Sequence, residues 1–138
     1  MKGALILVGF VAGCARADAP PSFDYVSKDE PDRERVHLIF RNESHGALCL
    51  SPSEWPNPGG TIHYGSTRLF LVVEGRRYPI RDFNTGSCIA GCRTRVARGT
   101  SLDGFVPYSE FDLPRELWSR PKSLEFSPRP YRCRESAR

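Results

Sequence analysis

Long apolar runs are scarce in this chain of 138 residues. The one of note covers residues 3–11, far too short to span a bilayer. Methionine occurs only as the initiator, which removes any methionine-rich copper site. Histidine is limited to His37, His45 and His63, and no Gly-x-Ser-x-Gly elbow accompanies them. A nucleophile with a base and an orienting partner is therefore not evident, and the chain does not read as an enzyme. His37 falls on the expected solvent face of a strand, His45 in a turn and His63 in a loop-like stretch. Charge of one sign is also lacking: the net value is only +4, too weak to argue for a nucleic-acid partner. No internal repeat or low-complexity tract interrupts the chain.

Proline and glycine are plentiful, twelve of each, and argue for many turns and few long helices. The length, less a leader and a tail, leaves one domain of about 100 residues with one modest core. Alternating apolar residues mark a strand at residues 36–41, with Val36, Leu38 and Phe40 on one face. Residues 42–46 supply turn chemistry, and the glycosylation-like triplet at Asn42 reads as part of that turn. Further strands are expected at 47–50, 68–73, 76–80, 93–97, 101–108 and 123–126, with 131–133 extending the last. Glu74 and Gly75 turn one hairpin, and Pro114 suits the first turn of a short helical segment at 113–119. The expected fold is all-β: an immunoglobulin-like β-sandwich of six to eight short antiparallel strands. A small open barrel is the alternative.

The N-terminal segment ends in Val11-Ala12-Gly13-Cys14. Lys2, the apolar run and these small residues have the layout of an export signal. The four residues resemble the lipobox of bacterial lipoproteins. That resemblance implies that residues 1–13 are a signal peptide and that Cys14 becomes the acylated first residue. Each buried CH₂ contributes roughly 0.8 kcal/mol, and more than one chain is needed for stable anchoring. The rest of the chain then divides into a membrane-proximal tether at 14–32 and a β-sandwich domain at 33–138. Ala15 stands where an aspartate would mark inner-membrane retention, which implies the periplasmic face of the outer membrane. Ala15-Arg16-Ala17 offers a rival cleavage site that would release a soluble periplasmic or secreted protein. Phe23 and Tyr25 leave a second possibility for the tether, an extra edge strand packed on the domain.

Export makes the other cysteines, Cys49, Cys88, Cys92 and Cys133, candidates for two disulfides. The favoured pairing joins Cys88 to Cys92 and Cys49 to Cys133, the long bridge being worth on the order of 4 kcal/mol. The crossed pairing of Cys49 with Cys88 and Cys92 with Cys133 is the main rival. A metal site built on Cys88, Cys92 and His63 lacks the usual ligand spacing and a second pair. Neither metal nor cofactor is expected.

Paired carboxylates such as Glu110 and Asp112, with Asp82 and Asp103 elsewhere, are the only acids that suggest glycan hydrolysis, and they are scattered. Binding is the better theme. Trp55, Tyr64, Tyr108, Phe111 and Trp118 sit in or near loops, where aromatics stack on sugars or anchor a partner. Arg76, Arg77, Arg81, Arg93, Arg95 and Arg98 form a basic zone that adjacent loops could gather to meet phosphate or an acidic partner. Trp55, Tyr64, Tyr108, Trp118, Arg93 and Arg95 are the candidate binding residues.

The strand ending in an Asn-x-Ser turn at residues 40–44, and the Gly-Thr-Ser-Leu step at 99–102, give a rhythm similar to the family of intracellular proteinase inhibitors. That similarity implies only the sandwich fold. The expected function is a cell-envelope lipoprotein with a non-catalytic binding or structural domain, its partner an envelope protein or a glycan. An inhibitor of an envelope lysozyme or protease is the alternative.

Overall fold

The computed structural model describes residues 19–62, 68–81 and 93–134. Cys14, Tyr64, Cys88 and Cys92 lie outside them, as do His63 and Asp82. The described residues form nine strands in three antiparallel sheets, with 3-10 turns the only helical elements. The first sheet has the order β1-β2-β7: β1 is Phe23–Glu30, β2 Arg35–Asn42 and β7 Ser101–Pro107. The second has β3 (Leu48–Leu50) between β6 (Thr94–Val96) and β9 (Tyr131–Arg132). The third has β4 (Phe70–Val73) between β5 (Arg76–Pro79) and β8 (Lys122–Glu125).

Strand β2 buries Val36, Leu38 and Phe40, so its alternation is the expected one. These residues join Leu48, Leu50, Leu71, Val73, Val106 and Tyr108 in one core shared by all three sheets. The β4–β5 hairpin turns at Glu74 and Gly75, both with positive φ (50° and 79°). That backbone twists in the same sense as the strands it joins. Asn42, fully buried, anchors the turn after β2. Its Oδ1 accepts from the Ser44 N–H, and its Nδ2 donates to the Gly46 and Val96 carbonyls at 2.9 and 3.0 Å.

Three features depart from local expectation. Residues 23–30 lie in the expected tether yet form β1, paired along its length with β2. Phe23 stacks on Phe40 at 5.2 Å, and Tyr25 sets its ring edge-on to Trp55 and Phe126. This is the edge-strand alternative. Secondly, Tyr131 and Arg132 do not extend β8 but pair with β3. Pro128 and Pro130, which lack an N–H, separate the two strands. Thirdly, nine strands replace the expected six to eight.

One disulfide is described, Cys49–Cys133, joining β3 to the residue after β9 across a separation of 84 residues. It excludes the crossed pairing. The second expected bridge falls on Cys88 and Cys92, outside the described residues.

Candidate functional site

Strand β7 ends the first sheet, and its ladder to β2 has a defined phase. The Tyr108 N–H donates to the Glu34 carbonyl and the Asn42 N–H to the Thr100 carbonyl, at 2.8 and 3.0 Å. Hydrogen-bonded pairs alternate along an antiparallel ladder, so Leu102, Gly104 and Val106 bond to β2. The main-chain groups of Asp103 and Phe105 therefore point away from β2, along an edge that no other described strand pairs with.

The loop at residues 51–62 runs beside that edge and braces itself. Asn57 Oδ1 accepts from the Gly59 and Thr61 N–H groups at 2.9 and 3.1 Å, an Asx-type turn. Trp55 is driven into the core, its ring edge-on to Phe40 at 5.9 Å. Gly104 makes the approach possible: a Cβ there would lie 2.9 Å from Pro56 and 3.0 Å from Trp55 Nε1. Between loop and strand lies a cleft of about 330 Å³. Trp55, Pro56, Pro58, Leu102 and Phe105 give it apolar walls, and Arg35, His37, Asn57, Thr94 and Asp103 supply polar groups.

The polar rim is a chain of ionisable side chains. His37 Nε2 lies 2.9 Å from Asp103 Oδ1, and its Nδ1 lies 3.7 Å from Glu30 Oε1. Arg35 donates through Nε to Glu30 Oε2 at 2.8 Å and stacks its guanidinium over Phe105. The Arg35 hydrogen bond holds the Glu30 carboxyl below the usual carboxylate range, helped by the positive charge of Arg35 and Arg33. A histidine between two carboxylates orients a base, but acyl transfer also needs a nucleophile. Among the described residues, Thr94 is the only hydroxyl side chain lining the cleft.

The residues singled out from sequence scatter. Trp55 is a cleft wall and a core residue at once. Tyr108 is fully buried, so its ring has no face to offer a ligand. Its hydroxyl donates to Asp29 Oδ1, and burial together with that carboxylate pushes its pKa up. Trp118 packs half-buried against Tyr108 and donates to the Leu113 carbonyl at 3.3 Å. Arg93 and Arg95 are exposed beside and on β6 and do not line the cleft, although Thr94 between them does.

The basic zone divides. Arg77 pairs with Glu125 and covers the Phe70 ring, Arg81 pairs with Asp112, and Arg76 lies over Tyr78. Arg93, Arg95 and Arg98 belong to the second sheet. Glu110 and Asp112 are not in the cleft that holds His37. His37 itself had looked like a plain surface residue. Its pairing with Asp103 spans 66 residues, and the only local signal was that both side chains stand on the outward faces of their strands.

Glu110 supplies a prediction. Its Oε2 is buried with no hydrogen-bond partner among the described residues, and burial raises its pKa against the opposing pull of Arg81. A carboxyl with a raised folded-state pKa binds more protons folded than unfolded, so its contribution fades as pH climbs through that value. Glu110→Gln is therefore expected to raise the melting temperature at neutral pH, with the gain shrinking toward pH ~4. Thermal scans across pH check this; a neutral-pH loss would contradict it.

Comparison with protein-family models, with curated proteins and with solved structures finds no match for this chain.

Proposed function

We propose that this chain is a non-catalytic cell-envelope lipoprotein whose β domain binds an extended segment of another envelope protein in the cleft beside β7. In this reading Cys14 carries the acyl anchor, and the domain is immunoglobulin-like with β1-β2-β7 as one leaf. The observation that carries the binding role is the edge of β7. Main-chain N–H and C=O groups must pair with something, and a free edge beside apolar pockets is how sheets take up an extended peptide. Here the Asp103 and Phe105 main-chain groups meet walls of tryptophan, proline and phenylalanine. The charge on Asp103 and the proline-rich loop would discourage pairing between copies of the same edge.

Photocrosslinking of the full-length protein in native membranes, from a reactive residue replacing Pro58, tests this. Crosslinks to one envelope protein are expected. Asp103→Pro removes an outward N–H while keeping the ladder to β2, and should reduce the crosslinks by about tenfold or more. The same digest reads acylation at Cys14. Crosslinks that persist in Asp103→Pro would remove the cleft from the reading. A hydrolase as the captured protein would favour the inhibitor function.

A further inference from the structure

The second sheet is one-sided in charge. Its strands and flanking residues (47–50, 93–98 and 127–134) contain six arginines and no acidic residue. Arg93, Arg95, Arg98, Arg129, Arg132 and Arg134 are all exposed. The register explains the layout. Leu48, Leu50 and Val96 turn inward, while Arg95 stands opposite Cys49 and Cys49 opposite Tyr131. Arg95 and the Tyr131 ring, 42% exposed, thus flank Cys49 on the outward face.

Among the described residues outside this sheet, six of nine arginines meet a carboxylate, Arg41, Arg76 and Arg115 being the exceptions. Arg33, Arg35, Arg68, Arg77, Arg81 and Arg120 each meet a carboxylate. Among the described residues, Arg93, Arg95, Arg98, Arg129 and Arg134 make no salt bridge. The acid beside this sheet, Glu54, is already engaged: it accepts from Arg68 and from the main-chain N–H of Arg129.

A second observation concerns the path of the chain. Arg132 Nη2 donates to the Ala19 carbonyl at 3.0 Å, which holds the segment before β1 beside β9. Five residue steps separate Ala19 from Cys14, a reach of about 17 Å at full extension. An acyl anchor at Cys14 would keep the arginine sheet within about two Debye lengths of the headgroups.

We propose that the β6-β3-β9 face lies against an anionic, phosphate-bearing lipid surface, so that the domain rests on the membrane. Guanidinium groups fork onto phosphate oxygens, and the exposed Tyr131 suits the headgroup layer. The orientation rests on the lipoprotein reading. The affinity of the face for anionic lipid does not, which allows the two to be tested apart.

The full-length chain carrying Cys14→Ser, and so lacking acyl chains, is mixed with vesicles of phosphatidylcholine or of phosphatidylcholine with phosphatidylglycerol. Binding through apolar residues 1–13 is common to both vesicles and cancels in the comparison. Tighter binding to the anionic vesicles, weakening steeply with salt, is expected. Adding Arg95→Ser, Arg98→Ser and Arg129→Ser should weaken it on the order of 100-fold. The equal charge change Arg33→Ser, Arg77→Ser and Arg115→Ser should leave it nearly intact. No preference for anionic vesicles, or equal loss in both triple variants, overturns the proposal. Displacement by inorganic phosphate, but not by chloride at matched ionic strength, overturns it in favour of a soluble-anion site. The mass of the N-terminal peptide from the unsubstituted protein reports acylation separately. An unmodified Cys14 with anionic binding intact removes the anchor and keeps the surface.

Discussion

Removing the Cys49–Cys133 bridge, as Cys49→Ala with Cys133→Ala, is expected to lower the unfolding free energy by about 4–5 kcal/mol. The bridge spans 84 residues, so in the chain-entropy account it strips a large number of conformations from the unfolded state. The native side adds a local reason. Strand β9 is short, its Tyr131 and Arg132 are exposed, and it is paired with β3 only at Leu48 and Cys49. The Cys133 N–H adds one further bond to the Ala47 carbonyl, at 3.3 Å. With little apolar area buried at β9 itself, the covalent link is the main tie between residues 131–133 and β3. Guanidinium titration of the unsubstituted and double-alanine proteins checks this. An unchanged midpoint would mean that β9 is held by other contacts.

Asp29→Ala should cost a comparable amount, about 3–5 kcal/mol. The Lys122 side chain is completely buried at the start of β8. Its ammonium donates to the Trp118 and Arg120 carbonyls at 2.5 and 2.6 Å and lies over the Tyr108 ring. Asp29, on β1, is the carboxylate that answers this charge, at 3.8 Å. The same carboxylate accepts from the Tyr108 hydroxyl and the Lys122 main-chain N–H. Without it, a buried cation keeps only carbonyl dipoles and the Tyr108 ring face, and two further donors lose their acceptor.

Lys122→Met should cost less, because the Asp29 side chain retains some contact with solvent. The double variant should recover part of the Asp29→Ala loss, the signature of direct coupling. Burial holds the Lys122 pKa below its usual range, against the opposing effect of Asp29. An ammonium with a depressed folded-state pKa is released earlier by the folded than by the unfolded chain, so stability rises with pH between the two values. Alkaline conditions should therefore narrow the deficit of Asp29→Ala. Additive single-variant losses would dissolve the pairing.

Some of this architecture was legible locally. The alternation Val36, Leu38, Phe40 marks β2 because a strand's side chains repeat every two residues wherever one face is buried. Glu74 and Gly75 mark a hairpin because few residues adopt positive φ cheaply. The pairing of Cys49 with Cys133 emerged from counting cysteines, although the crossed alternative needed coordinates to exclude it. β1 was harder: its inward positions include Ser27 among the aromatics, and prolines flank it, so its pattern matched a tether as well as an edge strand.

The candidate site was less legible than the fold. His37 and Asp103 meet only because β2 and β7 are neighbours, and Trp55 becomes a cleft wall only because Gly104 leaves room for it. Tyr108 and Trp118 resembled loop aromatics but pack on each other beside a buried lysine.

The sequence by itself determined the all-β character and the main strands and turns, because alternation and turn chemistry act over a few residues; the long disulfide was one of the pairings it allowed. Only the tertiary structure decided which charges are spent on partners and which face outward. Arg77 and Arg81 pair with Glu125 and Asp112, while Arg95 stands beside Cys49 on the second sheet with no salt bridge among the described residues. Charge pairing depends on distances between strands far apart in the chain, and composition carries no record of those distances.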